Sequence, residues 1–293
     1  MKIPKNRDSW GNFVALYVFL ACSGTLVQES PVRLRHGTII LWEETATKVM
    51  IVSDSRTYDE EAGVRGQTCK IIDLSDGTLF FYTGSLLEAS SKRTHEKVFS
   101  QQMFAKRAYD ALKMEPKSYD RLNRIARKYS ELVRLRMDEL FKTIPHPSRM
   151  TGLAGFASLD EFKHARLVLV RIPIEVPNDG APTYTGMPAI FEPSQNKLGL
   201  GDYPPYNAVN EFLDGNSERA KKAVADFKLR TAKLPKRDLD VHNLIAAVEA
   251  SLNWNKDDPT IGPPVDAVVI ESGRGIRWIK RKPECTKHVG AED

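Results

Sequence analysis

Apolar residues gather in short runs near both ends and in the middle of the chain, and fall on a helical period between them. Thr38-Ile39-Ile40-Leu41-Trp42 is a short apolar run closed by Glu43-Glu44-Thr45, and Lys48-Val49-Met50-Ile51-Val52-Ser53 follows, rich in β-branched residues. Two such runs across a short polar break predict a hairpin. Residues 70–74 and 78–83 flank Ser75-Asp76-Gly77, and Asp-Gly between apolar runs is a strong hairpin signal. Four strands therefore precede residue 84.

Residues 86–144 read as two helices. In the second, Leu122, Ile125, Tyr129, Leu132, Val133, Met137, Leu140 and Phe141 recur at three- and four-residue steps, which makes an amphipathic face. Pro145-His146-Pro147 ends it, since proline cannot continue a helix. Strands are expected at 151–158 and 166–172, then a loop-rich stretch at 173–216 broken by prolines. Helices at 217–233 and 238–252 precede a closing hairpin of 265–270 and 276–280 around Ser272-Gly273-Arg274-Gly275. The order strands, helices, strands, helices, strands predicts an α+β protein with two antiparallel sheets face to face and helix pairs outside them.

Composition narrows the function classes. The 293 residues are 41% hydrophobic and 28% charged, ordinary values for a globule with a sizeable core, which excludes collagen-like, disordered and disulfide-scaffold chains. No apolar run reaches the roughly 18 residues of a spanning helix. The net charge of +5 is spread through the chain. Arg121, Arg124, Arg127, Lys128, Arg134 and Arg136 form a basic stripe on the second helix, but the aromatics of a base-stacking platform are missing, so the stripe reads as a solvated face and no nucleic-acid partner is expected. Cys22, Cys69 and Cys285 share no metal-ligand spacing and leave the redox compartment open.

The N-terminus reads as a leader. Lys2, Lys5 and Arg7 precede the unbroken apolar run FVALYVFLAC at residues 13–22, with small residues at Ala21, Ser23 and Gly24, the pattern of a secretory signal peptide. Residues 1–23 are taken as that signal and 24–37 as a propeptide or linker. A single domain is expected over 38–283, with a tail at 284–293. The leader points to export or the periplasm, with the cytoplasm as the alternative, and the mature form has no membrane span.

The usual catalytic fingerprints are absent: no Walker loop, no dinucleotide glycine motif, no HExxH zinc helix and no GxSxG elbow. No metal or cofactor is expected. What remains is Gly37-Thr38 at the head of a strand, directly after a removable segment. If the chain is cut after Gly37, Thr38 owns a hydroxyl and a free α-amine. An α-amine has an ordinary pKa near ~8, so it is partly neutral at physiological pH and can take the hydroxyl proton. Nucleophile and base are then one residue. Such a site also needs a cation to lower the amine pKa, a carboxylate to hold the cation, and a backbone donor for the oxyanion. Lys70 at a strand start, Asp54 at a strand end in Ser53-Asp54-Ser55-Arg56, and Gly84 at a strand end offer each. Arg56 reads as structural, pairing with an acid nearby.

On these residues the chain resembles the proteasome β-subunit family of N-terminal nucleophile hydrolases. In that family the threonine follows a glycine, with the aspartate sixteen positions on, the lysine thirty-two on and the oxyanion-hole glycine forty-six on. From Thr38 those positions are Asp54, Lys70 and Gly84. Asp258 fits the family's later aspartate. Ile261 and Leu200 stand where the family carries serines. The resemblance implies a four-layer αββα sandwich, Thr38, Asp54, Lys70, Gly84 and Asp258 as catalytic residues, a peptide or protein substrate, autocleavage after Gly37, and homo-oligomers that include rings. It also keeps two other readings open: an amidohydrolase acting on small acyl-amides, and a catalytically inactive scaffold, which the two missing serines favour. An anionic-ligand binder using the 121–136 stripe is the remaining alternative.

Overall fold

A computed structural model of the chain describes residues 32–36, 39–59, 63–84, 88–91, 97–141, 152–172, 189–191, 197–200 and 206–286. The signal segment 1–23, Gly37, Thr38, Pro145-His146-Pro147 and the tail beyond residue 286 lie outside the described residues. The chain divides into a unit of residues 1–30 and a compact unit of residues 31–293, which holds everything described below.

The strands, in chain order, are β1 (Val32–His36), β2 (Ile40–Glu44), β3 (Lys48–Ser53), β4 (Arg56–Asp59), β5 (Val64–Gln67), β6 (Ile71–Asp73), β7 (Leu79–Gly84), β8 (Glu88–Ser91) and β9 (Lys97–Ser100). Helices α1 (Gln101–Asp110) and α2 (Tyr119–Phe141) follow, then β10 (Gly152–Leu159), β11 (Ala165–Ile172), β12 (Ala189–Phe191) and β13 (Lys197–Leu200). Helices α3 (Tyr206–Asp214), α4 (Glu218–Thr231) and α5 (Leu239–Trp254) precede the closing hairpin β14 (Asp266–Glu271) and β15 (Gly275–Lys280). The protein is α+β, with every recorded strand pairing antiparallel.

The strands form three five-stranded sheets, ordered β13-β2-β3-β14-β15, β12-β11-β10-β7-β6 and β5-β4-β1-β8-β9. The first two share a core. Their strands are apolar on both faces, because each face meets a different neighbour. Ile40, Trp42, Val49, Ile51, Val268 and Ile270 of the first sheet share one core with Leu79, Phe81, Leu153, Leu167 and Leu169 of the second. The alternate residues Leu41, Met50, Val52, Ala267 and Val269 pack instead on Val209, Phe212, Leu244 and Val248 of α3 and α5. On the other side Phe80, Tyr82, Ala154, Phe156 and Val168 pack on Phe104, Leu122, Ile125, Tyr129 and Val133 of α1 and α2. This is the period of two expected of a strand, applied to both faces. Within the second sheet Gly155 makes room for a ring on the next strand: it pairs with Phe81, and a Cβ there would lie 2.2 Å from that ring.

The structure departs from the sequence reading in three places. Residues 86–144 are not all helical: β8 and β9 come first, and α1 starts only where Ser100 caps it by accepting the Met103 N–H. The stretch 173–216 holds two short strands and α3, whose apolar positions were hidden among prolines. The third sheet was not anticipated, and its central strand, β1, comes from the segment taken as a linker.

Four of the six basic residues of the stripe on α2 pair within the chain. Arg121 pairs with Asp76, Arg124 with Glu115 and Asp120, Lys128 with Glu131, and Arg136 with Glu139. No helix among the described residues is long and apolar enough to cross a membrane.

Candidate active site

Asp54 sits just past the end of β3, where its main chain still pairs with Ile39. Lys70 sits just before β6, and its carbonyl accepts the Tyr82 N–H from β7. One residue therefore belongs to each of the two facing sheets, and the side chains meet between them. Lys70 Nζ donates to Asp54 Oδ1 at 2.7 Å, and both side chains are 0% exposed. The same Oδ1 accepts the Ile39 N–H at 2.8 Å. The other oxygen, Oδ2, accepts the N–H of Gly262 at 3.0 Å and of Arg56 at 3.2 Å. Four donors fix the orientation of the carboxylate.

Lys70 is less well served. Asp54 is the acceptor it has among the described residues, so two ammonium protons have no partner there. Burial pushes its pKa down from the ordinary 10.5 to about 8, against the attraction of Asp54. A buried ion pair is weak support for stability, because desolvating two charges offsets most of their attraction. A desolvated cation with a depressed pKa and one fixed counter-ion is instead the pattern of a functional site.

The loop after α5 completes the enclosure. Ser55 N–H donates to the Gly262 carbonyl at 3.2 Å, and Arg56 Nη1 donates to the Ile261 carbonyl at 2.6 Å. Arg56 thus braces a main-chain carbonyl, and among the described residues no acid pairs with its guanidinium. Its guanidinium lies so close to Gly262 that a Cβ there would fall 2.1 Å from Cζ, so any side chain at this position would displace it. Beside this contact opens a pocket of 560 Å³, lined by Arg56, Arg65, Leu252, Lys256 and Pro264 among others.

Of the residues singled out in the sequence, the structure brings Asp54 and Lys70 together. Thr38 lies outside the described residues, but its covalent neighbour Ile39 donates its N–H to the carboxylate of that pair. Gly84 ends β7, opposite Gly152. Asp258 does not touch Asp54 or Lys70: its Oδ1 accepts the N–H of Thr260 at 2.8 Å and the Thr260 hydroxyl at 2.5 Å, shaping the turn before Ile261. Ile261 is buried in the apolar cluster under α5, and Leu200 pairs with Leu41 at the end of β13.

Sequence reasoning missed a second buried cation. Lys282 Nζ donates to the Thr68 carbonyl at 2.6 Å and pairs with Asp266 at 3.2 Å. It also missed a disulfide between Cys69 and Cys285. Neither has a local signature, since the partners lie more than two hundred residues apart or on another strand. Among the described residues no group of three or more His, Cys, Asp or Glu side chains is arranged to hold a metal ion. Among known proteins, no family model and no curated protein matches the chain.

Proposed function

We propose that the chain is a threonine-type peptidase of the proteasome β-subunit-like class, with the four-layer αββα sandwich of N-terminal nucleophile hydrolases. The observation that carries this reading is the Asp54 carboxylate, which holds at once the Lys70 ammonium and the N–H of the residue following Thr38.

In the precursor, Thr38 Oγ attacks the Gly37 carbonyl carbon and the peptide nitrogen leaves as the Thr38 amine, giving an ester. Water then hydrolyses the ester and releases residues 1–37 as a carboxylic acid. In the mature chain the same hydroxyl attacks a substrate carbonyl while the amine takes its proton. The Lys70 ammonium disfavours protonation of that amine, because like charges repel. The Gly84 N–H stabilises the oxyanion, worth roughly 3–4 kcal/mol if well aimed. The departing amine of the substrate regains the proton, and water hydrolyses the acyl-enzyme.

A peptide substrate is favoured over a small acyl-amide by strand β1. Residues 32–36 lie on the acyl side of the Gly37–Thr38 bond and pair antiparallel with β4 on one edge and β8 on the other. A slot between two strands that takes an extended backbone is the geometry of strand addition. The Cys69–Cys285 disulfide supports export, since such bonds persist in oxidising compartments. The apolar burial of Ile261, where the family has a serine, favours the inactive scaffold as the second reading. Peptide ligands in strand slots, rather than the 121–136 stripe, are the binding partners this reading expects, with assembly into homo-oligomers, rings among them.

A panel of fluorogenic peptides and acyl-amides tests the proposal, alongside a threonine-directed electrophile. Peptide turnover with an adduct on Thr38 supports it. Turnover of acyl-amides alone selects the amidohydrolase, and neither turnover nor adduct selects the scaffold.

A further inference from the structure

After β15 the chain folds back onto the residues that precede the site's cation. Lys282 is buried, and its Nζ donates to the Thr68 carbonyl. Its own N–H donates to Asp266 Oδ1 at 2.9 Å, so the residue is fixed at both ends. Three positions on, within the short 3-10 turn Pro283–Thr286, Cys285 is joined to Cys69. The two tethers therefore end on residues 68 and 69, immediately before Lys70. On the far side, the Thr68 N–H donates to the Ser55 carbonyl, next to Asp54. The pairing of Lys282 with Asp266 is costly to bury: burial holds the Asp266 carboxyl above its ordinary value despite the lysine beside it. A second desolvated ion pair this close to the first is poor economy as a stability device.

We propose that residues 282–285 form a positioning clamp for Lys70, and that the Cys69–Cys285 bond makes the competence of the site depend on oxidation. The proposal rests on reading Asp54 and Lys70 as catalytic machinery. Lys282 is a positioning residue: it fixes the backbone from which Lys70 reaches Asp54. The charged groups facing Lys70 are Asp54 after β3, Asp266 at the start of β14 and Lys282 itself. A dithiol reductant releases the clamp. One reductant thiolate attacks a cystine sulfur, the Cys69–Cys285 bond breaks, and the second reductant thiol closes its own disulfide, leaving two protein thiols.

The test uses the full chain as wild type, Lys282→Met, Lys282→Arg and Cys69→Ser/Cys285→Ser. Mass spectrometry follows the appearance of chain beginning at Thr38, circular dichroism reports folding, and the processed proteins give pH–rate profiles. Cleavage about tenfold slower or more in Lys282→Met and in the double serine variant, with Lys282→Arg close to wild type, is the expected result. The descending limb of the Lys282→Met profile moves to higher pH, because a like charge near Lys70 is gone. A purely structural role would leave that limb in place. Where a variant fails to fold, reduction of the mature wild type by dithiothreitol decides. Turnover lost on reduction with the folded signal kept, and regained on reoxidation, supports the clamp. Unchanged turnover with the cystine shown to be reduced overturns it, as do equal cleavage rates and superposable profiles across the set. A wild type that never loses residues 1–37 overturns the parent reading itself, a separate outcome.

Discussion

Asp54→Ala is expected to destabilise the fold by about 3–5 kcal/mol and to abolish removal of the leader. The cost has two sources. The Lys70 ammonium, fully enclosed, loses the acceptor it has among the described residues, and an unpaired buried charge is among the most expensive defects a core can hold. In addition the N–H groups of Ile39, Arg56 and Gly262 lose their acceptor together, at about 1–3 kcal/mol for each that stays dry. Neighbouring sites of this kind do not add, so the sum is an upper bound. Urea unfolding of the uncut protein measures the loss. An Asp54→Ala protein as stable as wild type means that the carboxylate does not hold the two sheets and the loop after α5 together.

Lys70→Met is the second large effect, and its signature is catalytic. The methionine fills the same space without a charge, and Asp54 keeps three N–H donors, so more of the fold survives than in Asp54→Ala. Turnover is expected to fall by at least about a hundredfold, the usual scale for removing a charge that stabilises the transition state. The pH dependence gives the sharper reading. The folded Lys70 releases its proton at about 8, below the ordinary 10.5. Below 8 it is charged in both folded and unfolded chains, and its burial then weighs fully against folding. Between 8 and 10.5 the unfolded chain binds the extra proton, so this group's contribution to stability rises with pH. Activity moves the other way, since a neutral Lys70 no longer offers positive charge to the oxygens that gain negative charge as Thr38 attacks. A descending limb in the rate near pH 8, paired with no loss of folded signal, is the expected result. Lys70→Arg, permanently charged, carries no such limb.

Much of the fold was legible because local signals agreed with the tertiary outcome. The β2–β3, β6–β7 and β14–β15 hairpins came from apolar runs across short turns, and Ser75, Asp76 and Gly77 all take positive φ at the turn the Asp-Gly pair predicted. The α2 stripe, from Leu122 to Met137, lies in the core as its period required. β8 and β9 were missed because Glu-Ala-Ser-Ser and Lys-Val-Phe-Ser carry no period: β8 pairs with β1, and β9 with β8. The strand Val32–His36, inside the segment 24–37 read as a propeptide or linker, was not legible for the same reason, since it finds its partners far along the chain.

The site was legible in part. Asp54 and Lys70 came from the sequence, and their separation of sixteen residues is closed by the two facing sheets. Asp258 was placed by the same resemblance, yet the loop reaches Asp54 through the Gly262 N–H, a main-chain contact that no side-chain pattern reveals. Nothing in the sequence singled out Lys282. Only the fold-back that buries it against Thr68 and Asp266 sets it apart.

The N-terminus of the purified protein decides the account most directly. Intact-mass spectrometry of the natively expressed chain should find a species beginning at Thr38, and Thr38→Ala should retain residues 24–37. A wild type whose N-terminus is never cut at that bond, with Thr38→Ala giving the same mass pattern, contradicts the claim that this threonine is freed to act as both nucleophile and base.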